Sequence, residues 1–122
     1  KTIALWGLAF KAETDDMREA TSLVTIRHLL EAGCTVRVFD PAAMDEARRR
    51  LGDAVIYASD IYDAAKGADA LLLLTEWKQF RLPSWARVHD LMRSPIVFDG
   101  RNIYDPAEMR KNGFEYYSIG RK

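Results

Sequence analysis

The sequence predicts an α/β fold, a three-layer sandwich around a mainly parallel sheet of about six strands. Three observations carry this prediction. Apolar runs alternate with helix-like stretches through short connections, a rhythm that implies right-handed crossovers and parallel pairing. The run Ala70–Leu74 is apolar at every position, as a central strand buried on both faces tends to be. Hydrophobic residues make up 48% of the 122, enough for a real core in a chain of one domain's length.

The elements follow in order. Ile3–Trp6 is a short apolar run stopped by Gly7 and reads as the first strand. A polar loop runs from Lys11 to Glu19. Leu23, Val24, Ile26, Leu29 and Leu30 then fall at helical spacing. Thr21 or Ser22 is expected to cap that helix, and Gly33 to end it in the left-handed C′ conformation. Val36–Phe39 forms the second strand, broken by Asp40-Pro41. Ala42–Leu51 is a helix stopped by Gly52, and Ala54–Tyr57 a short third strand. Ile61–Lys66 is a short helix stopped by Gly67, and Ala70–Leu74 is strand four. Pro83–Met92 reads as helix, Ile96–Phe98 as strand five, Pro106–Lys111 as a helix with proline in its first turn, and Tyr116–Ile119 as strand six. No linker, repeat or low-complexity tract interrupts this Rossmann-like rhythm, so residues 1–122 are assigned to one domain.

Charge and composition exclude several functions. Lys plus Arg total 18 and Asp plus Glu total 18, so the net charge is zero. That argues against general binding to nucleic acid or to an anionic membrane. The single cysteine, Cys34, permits no internal disulfide and fits a reducing, cytoplasmic setting. The apolar stretch Ala68–Thr75 is interrupted by Asp69 and is too short to span a bilayer, and no signal peptide is visible. The chain opens on Lys1 and runs directly into an apolar stretch, so it is expected to be a piece of a longer protein.

Open parallel sheets bind ligands beyond the carboxyl ends of their strands. After strand one come Gly7 to Lys11, then Thr14 to Arg18; after strand two, Asp40; after strand four, Thr75-Glu76-Trp77; after strand five, Asp99-Gly100-Arg101-Asn102. Lys11, Arg18 and Arg101 are the cations of these loops and could converge on one anion. Gly100 would let backbone approach a ligand. A dinucleotide fingerprint is absent: only Gly7 occupies the first turn, and Asp40, where a ribose-binding acid would lie, is weak without the other glycines. Each candidate also has a plainer reading. Lys11 is equally well a solvated lysine, Arg18 a partner of Asp15 or Asp16, and Arg101 a partner of Asp99 or Asp105. Arg48–Arg50 reads as a wet helix face, and Trp6, Trp77 and Trp85 as core or interface anchors. His28 and His89 have no catalytic partner in the sequence, and Cys34 defaults to a buried small residue. No metal-ligand spacing and no nucleophile signature is present. Taken alone, these features leave open a nucleotide-binding module and a ligand-free structural domain.

Five stretches carry a resemblance. Trp6-Gly7-Leu8-Ala9-Phe10-Lys11 with Thr14-Asp15-Asp16-Met17-Arg18-Glu19, Phe39-Asp40-Pro41, Leu74-Thr75-Glu76-Trp77, Phe98-Asp99-Gly100-Arg101-Asn102 and Gly113–Arg121 follow one another in order. Together they resemble the C-terminal UDP-binding domain of the UDP-glucose/GDP-mannose dehydrogenase family, and the last resembles its bacterial UDP-glucose branch. The resemblance implies an enzyme that oxidises the C6 alcohol of a nucleotide sugar to a carboxylate with two NAD+. An N-terminal NAD-binding domain and a central dimer-forming region would precede this part, and the full-length enzyme would be a homodimer. The resemblance places Phe10, Lys11 and Arg101 on the nucleotide sugar and Arg18 on the NAD held by the other domain. It puts the catalytic cysteine and lysine outside this chain, so no catalytic residue is expected here. UDP-glucose is the implied substrate, with UDP-N-acetylhexosamines and GDP-mannose as alternatives.

Overall fold

The computed structural model describes residues 1–9 and 21–118. One sheet contains β1 (Thr2–Trp6), β2 (Thr35–Phe39), β3 (Ile56–Tyr57), β4 (Ala70–Leu73), β5 (Ile96–Asp99) and β6 (Glu115–Ser118). Between them lie α1 (Thr21–Glu31), α2 (Met44–Leu51), α3 (Ile61–Ala65), α4 (Trp85–Leu91) and α5 (Pro106–Lys111). All pairings are parallel, in the order β3-β2-β1-β4-β5-β6. The fold is thus the expected Rossmann-like α/β sandwich, with a sheet that is wholly parallel. The chain builds outward from β1 to β3, returns to the centre, and builds the other way from β4. The order therefore reverses between β1 and β4, where a parallel sheet opens its ligand crevice.

Strand alternation divides the core in two. Ala4, Trp6, Leu71, Leu73, Val97 and Tyr116 face α3, α4 and α5, whose Ile61, Val88 and Met109 are buried against them. Leu5, Val36 and Val38 face the other way, onto Ile26 of α1 and Ala47 of α2. Trp6 is fully buried, donates its indole N–H to the Ile61 carbonyl (3.1 Å) and stacks on Trp85 at 6.0 Å. Trp85 and Trp77 are half-buried and pack on the same cluster, so all three tryptophans are anchors. The α1/α2 face opens toward β5 and β6, where Phe98 and Tyr117 stack at 5.1 Å with 41% and 47% of their surface exposed.

Several boundaries differ from expectation for physical reasons. Neither Thr21 nor Ser22 stands at a cap position: both lie inside α1, and buried Ser22 donates its hydroxyl to the Leu8 carbonyl (2.6 Å). Gly33 does close α1, at φ +85°, with its N–H on the Leu30 carbonyl and that of Cys34 on Leu29, both at 3.0 Å. Cys34 is half-buried rather than buried, because it belongs to this cap turn and not to the apolar face of the helix. Ala54 falls in a 3₁₀ turn, which shortens β3 to two residues. An unanticipated 3₁₀ turn, Lys78–Phe80, drops Phe80 into the core. The helix expected over Pro83–Met92 starts at Trp85, capped by Ser84, whose hydroxyl accepts the Arg87 N–H. Arg48–Arg50 are exposed, as expected of a wet helix face, with Arg49 and Arg50 paired to Glu46. Among the described residues no helix is long and apolar enough to cross a membrane.

Gly7 and Gly33 make a controlled pair. Both have positive φ, but a Cβ at Gly7 would stand 2.5 Å from Thr75 Cβ, whereas one at Gly33 meets nothing within 4 Å. Gly33→Ala should cost about 1 kcal/mol from left-handed strain alone. Gly7→Ala should cost roughly 2–4 kcal/mol, because a buried overlap is added. Urea denaturation of the two variants checks the difference; equal losses would show that the Thr75 contact is slack.

Candidate functional site

The site is built where β1, β4 and β5 end side by side. The chain leaves β1 through Gly7, whose N–H bonds to the Phe39 carbonyl at 2.8 Å. Leu8 and Ala9 follow, and buried side chains from three other elements hold both peptide units. Asp40 Oδ2 accepts the Leu8 and Ala9 N–H groups at 2.7 and 3.1 Å. Ser22 donates to the Leu8 carbonyl, and Thr75 Oγ1 donates to the Ala9 carbonyl at 2.9 Å. The other Asp40 oxygen accepts the N–H groups of Ala42 and Ala43, at 2.8 and 2.9 Å. Buried polar groups without partners are costly, so these bonds leave Leu8–Ala9 little freedom.

Asp99 does the same at the end of β5. It is fully buried. One oxygen accepts the Arg101 N–H at 2.9 Å, and the other accepts the Tyr104 N–H (2.9 Å) and the Tyr116 hydroxyl (2.7 Å). The Tyr104 hydroxyl donates to the Phe80 carbonyl. Burial, reinforced by the nearby Asp99 charge, pushes that phenol far above its usual range, so it stays a neutral donor. Asn102 takes φ +58°, a left-handed conformation that asparagine tolerates better than most residues.

The turn after β5 presents Arg101 outward. Its Nε lies 3.3 Å from Glu76 Oε1, on the loop after β4, and the other Glu76 oxygen lies 3.2 Å from Arg81. Arg101 therefore engages neither Asp99 nor Asp105 through its side chain, as the sequence had suggested it could. Phe10, Lys11 and Arg18 lie outside the described residues, as do Asp15 and Asp16. What the structure brings together is the anchored root of the Phe10–Lys11 loop, the Glu76 loop and Arg101.

One sequence reading is corrected and another is given its physical reason. Gly100 does not clear space for a ligand: a Cβ there would meet the Leu73 carbonyl at 2.8 Å, so the glycine lets the turn after β5 pass close against the end of β4. Asp40, only weak evidence for a ribose contact in the sequence, has both its oxygens occupied by four backbone N–H groups. With Gly7 packed against Thr75, the described residues do not fit a self-sufficient dinucleotide site. Ser22, Thr75 and Glu76 were missed in these roles, although Thr75 and Glu76 stood at a strand end, the one available signal. Among the described residues no group of three or more His, Cys, Asp or Glu could hold a metal ion.

Residues 4–106 match the UDP-glucose/GDP-mannose dehydrogenase family, UDP binding domain. The chain belongs to this family. It is 50% identical to a UDP-glucose 6-dehydrogenase of Pseudomonas aeruginosa, over 99% of this chain and 28% of that protein. It is 47% identical to UDP-glucose 6-dehydrogenase YwqF of Bacillus subtilis, over 100% of this chain and 28% of the relative. A solved UDP-glucose dehydrogenase from Pyrobaculum islandicum superposes with a TM-score of 0.79 at 33% identity, covering 97% of this chain and 24% of that one. The chain thus spans little more than a quarter of the curated relatives it matches.

Asp40 is the one carboxylate among the side chains that hold Leu8–Ala9. Asp40→Asn replaces an acceptor by an NH2 group that faces backbone donors. It should destabilise the chain by roughly 2–4 kcal/mol, as expected for charge-assisted bonds at a buried site. Denaturation midpoints check this, and a loss below 1 kcal/mol would mean that the clamp is not under load.

Proposed function

We propose that residues 1–122 are one domain, the C-terminal part of an NAD-dependent UDP-glucose 6-dehydrogenase, and that it holds the UDP end of the substrate. The observation that carries this reading is the convergence of three family-like stretches, Gly7–Ala9, Thr75–Trp77 and Asp99–Asn102, at neighbouring strand ends, with Arg101 facing outward. UDP-glucose is favoured over N-acetylated or GDP-linked sugars because the relatives at 47% and 50% identity are UDP-glucose 6-dehydrogenases.

In this reading Arg101 and Lys11 offset diphosphate charge and Phe10 contributes backbone contact. Arg18 reaches the NAD held by an N-terminal domain, because the described residues here do not fit that cofactor. NAD, when bound there, accepts hydride. This domain's own work is different. Binding energy from the remote nucleotide fixes the reacting C6 in place and helps exclude water. The catalytic cysteine and lysine belong to the rest of a cytoplasmic, homodimeric enzyme, and this chain alone does not turn over substrate.

Titrating the isolated chain with UDP-glucose, and a parallel sample with NAD+, should shift NMR resonances of Phe10, Lys11 and Arg101 in the first only. Saturable NAD+ binding centred on Gly7 and Asp40 would overturn the assignment. In a full-length enzyme carrying this domain, Arg101→Ala or Lys11→Ala should raise KM for UDP-glucose about ten- to hundredfold, the loss of one charge-assisted contact. Arg18→Ala should instead raise KM for NAD+; a change confined to the sugar nucleotide would reassign that arginine.

A further inference from the structure

We infer that Glu76 is a positioning residue that aims Arg101 at the nucleotide sugar. The inference rests on the reading above that Arg101 contacts that substrate. Arg101 is tethered to Glu76 through its inner nitrogen: Nε lies 3.3 Å from Oε1. Among the described residues no acceptor sits on Nη1 or Nη2, the outer pair. An arginine gripped at Nε keeps its terminal fork for a second anion, and that fork suits phosphate oxygens. Glu76 is itself steadied. Its other oxygen takes Arg81 at 3.2 Å, and the preceding residue, buried Thr75, is bonded to Ala9. The backbone of Arg101 is pinned by Asp99 at 2.9 Å. Both ends of the Glu76–Arg101 pair therefore grow from fixed backbone, and one long side chain is left to be ordered. The Arg101 side chain is 45% exposed and that of Glu76 35%, so the pair adds little to folding stability. Its value is to reduce the rotamers Arg101 must give up when substrate arrives.

The electrostatic alternative has the opposite sign. A carboxylate beside a phosphate site repels the ligand, so removing it would tighten binding if repulsion outweighed orientation. Steady-state kinetics of a full-length enzyme carrying this domain, with UDP-glucose varied at saturating NAD+, separates the two. Glu76→Ala should raise KM about three- to tenfold, the scale of one exposed ion pair, with the change in KM rather than kcat. Glu76→Gln, which keeps an oxygen for Nε, should recover most of the loss. Placed on Arg101→Ala, Glu76→Ala should add no further rise. A lowered KM in Glu76→Ala, or a full additional rise in the double variant, overturns the positioning role. An unchanged KM in Arg101→Ala alone overturns the substrate reading beneath it, which distinguishes the two failures.

Discussion

The site depends on the way Leu8 and Ala9 are held. A chain leaving a central parallel strand must turn away from the sheet, and its peptide groups lose their strand partners as it does so. Here Asp40, Ser22 and Thr75 replace those partners, and all three are at most 2% exposed. The replacements come from β2's exit, from α1 and from β4's exit. The loop root is therefore tied to three elements at once, and moving any of them would strand a buried donor or acceptor. Gly7 is the steric counterpart, because only a residue without Cβ fits against Thr75. Leu8 and Ala9 are thereby held at a point that the sheet itself defines.

The same solution recurs at β5 with Asp99. Burying a carboxylate costs several kcal/mol unless its oxygens are fully engaged. Four backbone N–H groups engage Asp40, and two N–H groups with a tyrosine hydroxyl engage Asp99. Both acids are thus turned inward, to organise loops. Their inward turn changes the electrostatics of the carboxyl edge more than the zero net charge suggests. Negative charge at the strand ends is directed to backbone, and the guanidinium of Arg101 projects outward, paired with Glu76 among the described residues.

Much of this was legible in the sequence, for reasons that differ by element. The strands and helices were readable because hydrophobic period and glycine or proline stops are local. Gly33 and Pro106 sit where such stops should. Asp40, Thr75, Glu76 and Arg101 could be placed at strand ends from topology alone. Their partners could not. Ser22 looked like a cap because capping is the local role of serine, yet its acceptor lies 14 residues back, at Leu8. Gly100 looked like room for a ligand, but the atom it clears is the Leu73 carbonyl of the neighbouring strand. Asp40 stood where a ribose acid would lie, and its position was visible where the saturation of its oxygens was not. In each case the missing information was a contact across the sheet, which exists only once strand order is known.

Loop roots fixed by buried bonds, with Arg101 projecting from one of them, suit the proposed role of binding one end of a substrate whose chemistry happens elsewhere. Remote binding energy helps a reaction only if the remote contacts are already in place; otherwise ordering them consumes what they supply. Leu8–Ala9 and the Asp99 turn are ordered by folding, through buried bonds made within the chain. Fixing one residue's backbone costs roughly 1–2 kcal/mol, so ordering these loops during folding removes that cost from substrate binding. If this domain holds the nucleotide as proposed, the clamp residues touch no ligand, yet they set how much of the nucleotide's affinity survives to position the sugar. On the proposed function, a buried aspartate at the end of β2, three strands from β5, therefore shapes the binding site as surely as the arginine at its rim.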